Sequence, residues 1–284
     1  MHQPPKANGR VGASCPPRRG GGIEGRGGDP IDLVGLVPAA GRARRLAAGL
    51  GGASKEVLPV GRDGRPAAAF LLERLARAGI ERAYVVLRAG KWDVPERLGD
   101  GAGLGVHLAY LVIGETASVA ETLDRAYPFV RGRRVALGFP DILFRPADAF
   151  ARVRERQEAT GADAVLGLVP TDRPDKADLV TVDAGGAVRG LAIKPGPGAR
   201  PEPPWTWIAA VWGPALTELL HREVAAARRG STRARGRELY PGDVLRRAID
   251  EGLRVEAVTF PEGRHLDVGT PEDLERARAW EEEA

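Results

Sequence analysis

Residues 31–50 read IDLVGLVPAAGRARRLAAGL, and this stretch decides the fold. IDLVGLV is a near-continuous apolar run, the pattern of a parallel strand covered on both faces. At Pro38 the run gives way to Ala39-Ala40-Gly41, and Arg42, Arg44 and Arg45 then fall within four residues. A small-residue turn after a buried strand lets backbone N–H groups approach a phosphate, and the guanidinium groups supply charge for one. Two familiar phosphate loops do not fit. The chain has no G-x-x-x-x-G-K-[ST], and Gly41-Arg42-Ala43-Arg44-Arg45-Leu46 is not G-x-G-x-x-G, so a Walker-type NTPase and a dinucleotide-binding Rossmann enzyme are both poorly supported.

Downstream, strand-like runs alternate with helical patterns. PAAAFLLERLARAG (66–79) places Phe70, Leu71 and Leu75 at helical spacing and stops at Gly79, a C-terminal cap. AYVVL (83–87) and VHLAYLVI (106–113) read as strands. ASVAETLDRAYPFV (117–130) reads as one helix, with Ser118 three residues before Glu121 at capping-box spacing. RVALGF (134–139) is a strand, PADAFARVRERQEATG (146–161) a helix and DAVLGLVP (163–170) another strand. Such alternation implies an α/β fold with a mostly parallel sheet. After Thr171 the texture changes. A hairpin is expected around Ala184-Gly185-Gly186, then a strand WTWIAAVW (205–212), helices at 214–228 and 241–251, a strand LRVEAVTF (253–260) and a final helix from Pro271. The partition is a nucleotide-binding half, 31–170, and a second half, 171–284, that completes the sheet and a substrate pocket.

Composition narrows the function classes. The chain has 284 residues, 43% hydrophobic and 28% charged, and no apolar run approaches the length that crosses a bilayer. The net charge of +4 could suggest a nucleic-acid partner. Residues 1–30, however, hold five positive charges (Lys6, Arg10, Arg18, Arg19, Arg26) against two negative (Glu24, Asp29), which leaves the remainder near +1. The basic-partner inference therefore falls away. That first segment, rich in Gly, Pro and Arg, is expected to be a disordered tail and lacks the apolar core of a secretory signal. The single cysteine, Cys15, lies there, so no disulfide framework or cysteine metal site forms within one chain, which fits a reducing cytoplasm. The arginines between Arg228 and Arg237 have no interleaved aromatics and read as a solvated loop. His2, His107, His221 and His265 show no metal-ligand spacing. Lysine is scarce in this arginine-rich chain: Lys6, Lys55, Lys91, Lys176 and Lys194 are all it has, so a retained lysine draws notice.

SKEVLPVG begins nine residues after Arg45. Together AAGRARRL and SKEVLPVG resemble the signature of sugar-1-phosphate nucleotidyltransferases, especially the glucose-1-phosphate thymidylyltransferase group. The resemblance continues in order through RLGDGAGLGVHLAY (97–110), GFPDILF (138–144), IKPGPG (193–198) and HLDVGTPEDL (265–274), covering about 31–280. It implies a Rossmann-like nucleotidyltransferase fold of the GT-A type, with a mixed, mostly parallel sheet flanked by helices. It also implies transfer of a nucleotidyl group from a nucleoside triphosphate, dTTP or UTP foremost, to a sugar-1-phosphate, glucose-1-phosphate foremost, with release of pyrophosphate. Enzymes of this kind are commonly homo-oligomers.

By the same resemblance Arg45 and Lys55 are the catalytic cations, stabilising the triphosphate and the transferring phosphorus. Ala39, Ala40, Gly41 and Arg42 form the nucleotide loop, and Ile113 and Ser118 fall in the base-reading segment. Asp141 and Asp267 fall on the acidic positions that hold Mg2+, a cation that takes one or two carboxylates plus substrate phosphates. Lys194 and Trp207 fall in the sugar-phosphate pocket, while Trp212 fits core packing at least as well as that pocket. The chain departs from the pattern at Ala43, Arg44, Ile113 and Ser118, and at Ile193, where a glutamate is usual. These departures keep open a second reading, a catalytically weakened module that binds nucleotide or sugar phosphate in a regulatory role. A glycosyltransferase that consumes nucleotide-sugars is disfavoured by the lack of a D-x-D motif.

Overall fold

The computed structural model describes residues 32–42, 52–196, 204–230 and 238–281. The expected tail, Arg45, expected to be catalytic, with Ala43 and Arg44, and most of the basic loop after Arg228 lie outside the described residues. Thirteen strands occur among them: β1 Leu33–Ala39, β2 Pro59–Val60, β3 Arg65–Pro66, β4 Arg82–Arg88, β5 His107–Ile113, β6 Arg134–Gly138, β7 Ile142–Arg145, β8 Ala164–Pro170, β9 Leu179–Val182, β10 Val188–Ala192, β11 Trp205–Trp212, β12 Val255–Thr259 and β13 Arg264–Asp267. The helices are α1 Ala67–Arg77, α2 Asp93–Leu98, α3 Val119–Asp124, α4 Tyr127–Val130, α5 Ala149–Thr160, α6 Pro214–Arg228, α7 Pro241–Asp250 and α8 Pro271–Arg278, with a 3₁₀ turn at Lys55–Val57.

The main sheet runs β5-β4-β1-β6-β11-β8-β12. β5, β4, β1 and β6 are mutually parallel, β11 is antiparallel to β6 and β8, and β12 is parallel to β8. The β9–β10 hairpin extends the sheet from the start of β11. Both expected halves of the chain therefore contribute strands to one sheet.

Alternation along each strand explains its two-sided burial. On β1, Val34 and Leu36 face one core while Val37 and Ala39 face the other. On β8, Leu166 and Leu168 oppose Val165 and Val169 in the same way. The first face is covered by α3, α6 and α7, and the second by α1, α2 and α5. A smaller core under α8 holds Phe70, Leu143, Leu266 and Val268, and it anchors a two-stranded ribbon, β7 with β13.

Sequence expectations and structure agree closely for the longer elements. α1 ends as its glycine requires: Gly79 has φ +74°, its N–H donates to the Ala76 carbonyl, and that of Ile80 reaches back to Leu75. One helix expected over 117–130 is instead two, α3 and α4, separated at Arg125–Ala126. Pro128 has no N–H to give and its ring crowds the carbonyl four residues back, so the helix breaks there.

Candidate active site

Three parallel strands end on the same edge of the sheet and deliver the site, as expected for a ligand crevice outside strand carboxyl ends. β1 leads into Ala40-Gly41-Arg42, β4 into Lys91-Trp92-Asp93, and β6 into Phe139-Pro140-Asp141. From the 3₁₀ turn, Lys55 Nζ forms an ion pair with Asp141 Oδ2. The end of the Lys55 side chain lies against Gly41, where an added Cβ would sit 3.7 Å from Lys55 Cε. The β7–β13 ribbon brings the second acid alongside, since Asp267 is paired with Ile142 and the Val268 N–H donates to the Asp141 carbonyl at 2.8 Å. The structure thus joins Gly41, Lys55, Asp141 and Asp267, four residues assigned on the resemblance.

Burial works against the charged form of Lys55, but Asp141, Glu56 and Asp267 outweigh it, so its pKa lies above the ordinary lysine value. Lys55 is accordingly a fixed cation at neutral pH. The donor set beside it suits a hard cation: two carboxylates, Asp141 just before β7 and Asp267 at the end of β13, leave the remaining coordination to substrate oxygen. Among the described residues no group of three or more His, Cys, Asp or Glu side chains could hold a metal by itself.

Arg42 pairs with Glu115, tying the segment after β1 to the segment after β5. Ile113 is half-buried and packs on the core, so its side chain offers the segment no hydrogen bond. Ser118 caps α3, its Oγ accepting the Glu121 N–H at 3.0 Å.

A second cluster lies at the β9, β10 and α7 end. Lys194 has φ +42°, rare for a side-chain-bearing residue and about 1–3 kcal/mol strained. Its Nζ rests over the Tyr240 ring, 4.0 Å from the centroid. Asp178 accepts the indole N–H of Trp207 at 3.4 Å. Its Oδ1 is buried with no partner among the described residues. Burial pushes the Asp178 carboxyl above the usual range despite Trp207 and Lys194. Gly242, at the start of α7, has room for nothing larger, because a Cβ there would lie 2.5 Å from Asp178 Oδ2. Trp207 is largely core, 7% exposed and edge-to-face with Phe139 at 5.4 Å. Trp212 is core as well, its N–H on Thr217 Oγ1.

The arrangement can hold polyanions against fixed positive charge, with two carboxylates near the Lys55 ammonium. Residues 34–283 match the family described as nucleotidyl transferase. The chain belongs to the nucleotidyl transferase family. Against curated proteins this nucleotidyl transferase is 25% identical over 246 residues to the low-salt glycan biosynthesis nucleotidyltransferase Agl11 of Haloferax volcanii. The match covers 85% of the chain and 64% of the relative, so the chain spans less than two thirds of that protein's length. Its fold is shared by a Bacillus anthracis protein described as a glucose-1-phosphate thymidylyltransferase and solved with sucrose, with TM-score 0.74, 20% identity and coverage of 87% and 94% of the two chains. It is shared too by a UTP-bound UGPase of Acinetobacter baumannii, with TM-score 0.68, 18% identity and coverage of 88% and 92%. Among the described residues no helix is long and apolar enough to cross a membrane.

Proposed function

We propose that this nucleotidyl transferase joins a nucleoside triphosphate, dTTP or UTP foremost, to a sugar-1-phosphate, glucose-1-phosphate foremost. The observation that carries the reading is the Lys55–Asp141 pair set against Gly41 at the end of β1, with Asp267 on the adjoining strand. An oxygen of the sugar phosphate attacks the α-phosphorus, a new P–O bond forms, and the bond to the leaving pyrophosphate breaks. Lys55 donates to the oxygens of the transferring phosphorus, exchanging its Asp141 partner for phosphate, and so opposes the charge that develops there. Asp141 and Asp267 would hold Mg2+, which when bound neutralises phosphate charge and polarises the phosphorus. Lys194 supplies charge for the sugar phosphate.

Product analysis tests the reading. Incubation with both substrates and Mg2+ yields a nucleotide-diphospho-sugar and pyrophosphate in equal amounts, whereas release of a nucleoside diphosphate from a supplied nucleotide-sugar and acceptor would point to a glycosyltransferase. The aliphatic, core-packed Ile113 favours a second reading, a weakened module that binds nucleotide or sugar phosphate without turnover. Tight binding of either ligand with no product would select it.

A further inference from the structure

Residues 54, 55 and 56 are held in an unusual way. The outer two are gripped by the loop after β4, while the middle one, Lys55, points to the candidate site. Asp93 takes both polar groups of Ser54, the backbone N–H at 2.6 Å and the hydroxyl at 2.7 Å. Lys91, 5% exposed, pairs with Glu56, 1% exposed. The same ammonium donates to the Ala39 carbonyl at 2.7 Å and to the Gly41 carbonyl at 3.3 Å, so all three of its protons are engaged.

Stability alone does not account for this pair. A buried ion pair gains little over a well-packed apolar one, and burial here pushes the Lys91 pKa down and that of Glu56 up. The Glu56 Oε1 even lacks a partner among the described residues. What an apolar pair could not do is tie the carbonyls at the end of β1 to the turn that carries Lys55. These contacts fix Lys55 relative to Gly41 from both sides of its own chain.

We propose that Lys91 and Asp93 are positioning residues: together they clamp Ser54, Glu56 and the end of β1 so that the Lys55 ammonium is held at the transferring phosphorus. The proposal rests on the functional reading above for its catalytic consequence. Its structural half stands independently.

Because Lys91→Met strands the Glu56 carboxylate in the interior, Asp93 carries the test. Asp93→Ala and Asp93→Asn are made in the wild type and in Lys55→Ala, with melting curves for each. Displacement of a catalytic group by about 1 Å can cost about 10²-fold. Asp93→Ala should therefore lower kcat by about that factor with the KM for sugar phosphate little changed, and Asp93→Asn, which keeps an acceptor for Ser54, should restore most of it. In the Lys55→Ala background the added Asp93→Ala should change nothing further. Equal losses in both backgrounds, or no loss in the wild type, would overturn the proposal. Amide exchange supplies a readout without turnover. Loss of a hydrogen bond to a carboxylate should speed exchange across residues 52–58 about tenfold or more while α1 stays protected. Unchanged exchange in folded Asp93→Ala would also overturn it. A wild type that releases no pyrophosphate with any substrate pair would count against the functional reading, leaving the exchange result to decide the clamp.

Discussion

Lys55 and Asp141, 86 residues apart in the chain, form an ion pair at the meeting point of the 3₁₀ turn and the end of β6. Neither element brings its partner by local geometry. The pair exists because β6 lies beside β1 in the sheet, and because the end of β1 is tied to the turn through Lys91.

Lys55→Ala should therefore remove a fixed cation without dismantling the core. The expected loss in kcat is about 10²- to 10³-fold, the scale of one electrostatic donor at a transition state. Rate measurements at saturating substrate, alongside thermal melts, check this. Near-wild-type kcat would place the transfer chemistry elsewhere.

Arg74 links α1 to the ribbon that presents both acids. It is buried, donates to the carbonyls of Phe70 and Phe144 at 2.9 Å each, and lies 5.1 Å from the Phe144 ring centroid. Arg74→Leu leaves two interior carbonyls without these donors and should cost about 2–4 kcal/mol, read from denaturant unfolding. Loosening of the β7–β13 ribbon should lower activity as well. Unaltered stability would show that the ribbon is anchored by its apolar contacts alone.

Asp178 gives a pH signature. Burial raises its folded-state pKa above the unfolded value of 3.8, so the folded protein binds this proton more tightly than the unfolded chain. Its unfavourable contribution is absent below the unfolded pKa and grows as pH rises toward the folded one. Asp178→Asn removes it. Melting curves across the acid and neutral range should show the variant gaining on the wild type from about pH 4 upward and then levelling off. A difference independent of pH would mean the carboxyl is not strained by burial.

On the proposed reading, Ile113 bears on base choice. A site with no side-chain hydrogen bond to the base edge discriminates weakly, whereas one polar group can separate substrates by orders of magnitude. The wild type should accept more than one pyrimidine triphosphate with kcat/KM values within about tenfold, and Ile113→Gln should widen the spread. Strong selectivity in the wild type would place the base contact on the backbone or on another residue.

Much of this architecture is legible in the sequence. β1 and β8 announce themselves as apolar runs with no polar face, α1 by its spacing and Gly79, and the site by ordered patches from Gly41 to Asp267. Ser118 and Glu121 signal a helix start and suggest one helix over 117–130, while the break falls at Arg125–Ala126, just before the turn that carries Pro128. The β7–β13 ribbon has two four-residue strands with no local signature, and only its pairing across the fold defines it. Lys91 stood out as a rare lysine, yet nothing in its spacing links it to Ala39 or Glu56. That contact depends on β1 and β4 being neighbours. Asp178 carried no signal at all, since its burial against Trp207, Lys194 and Gly242 arises only when β9, β11 and α7 converge.

Pyrophosphate release tests the central claim most directly. Each common nucleoside triphosphate is paired with glucose-1-phosphate and Mg2+, using the wild type and Asp141→Ala side by side. The account predicts release with at least one pyrimidine triphosphate that requires the sugar phosphate, stops on chelation of Mg2+ and is lost in Asp141→Ala. Release that persists without sugar phosphate, or at the wild-type rate in folded Asp141→Ala, would contradict it.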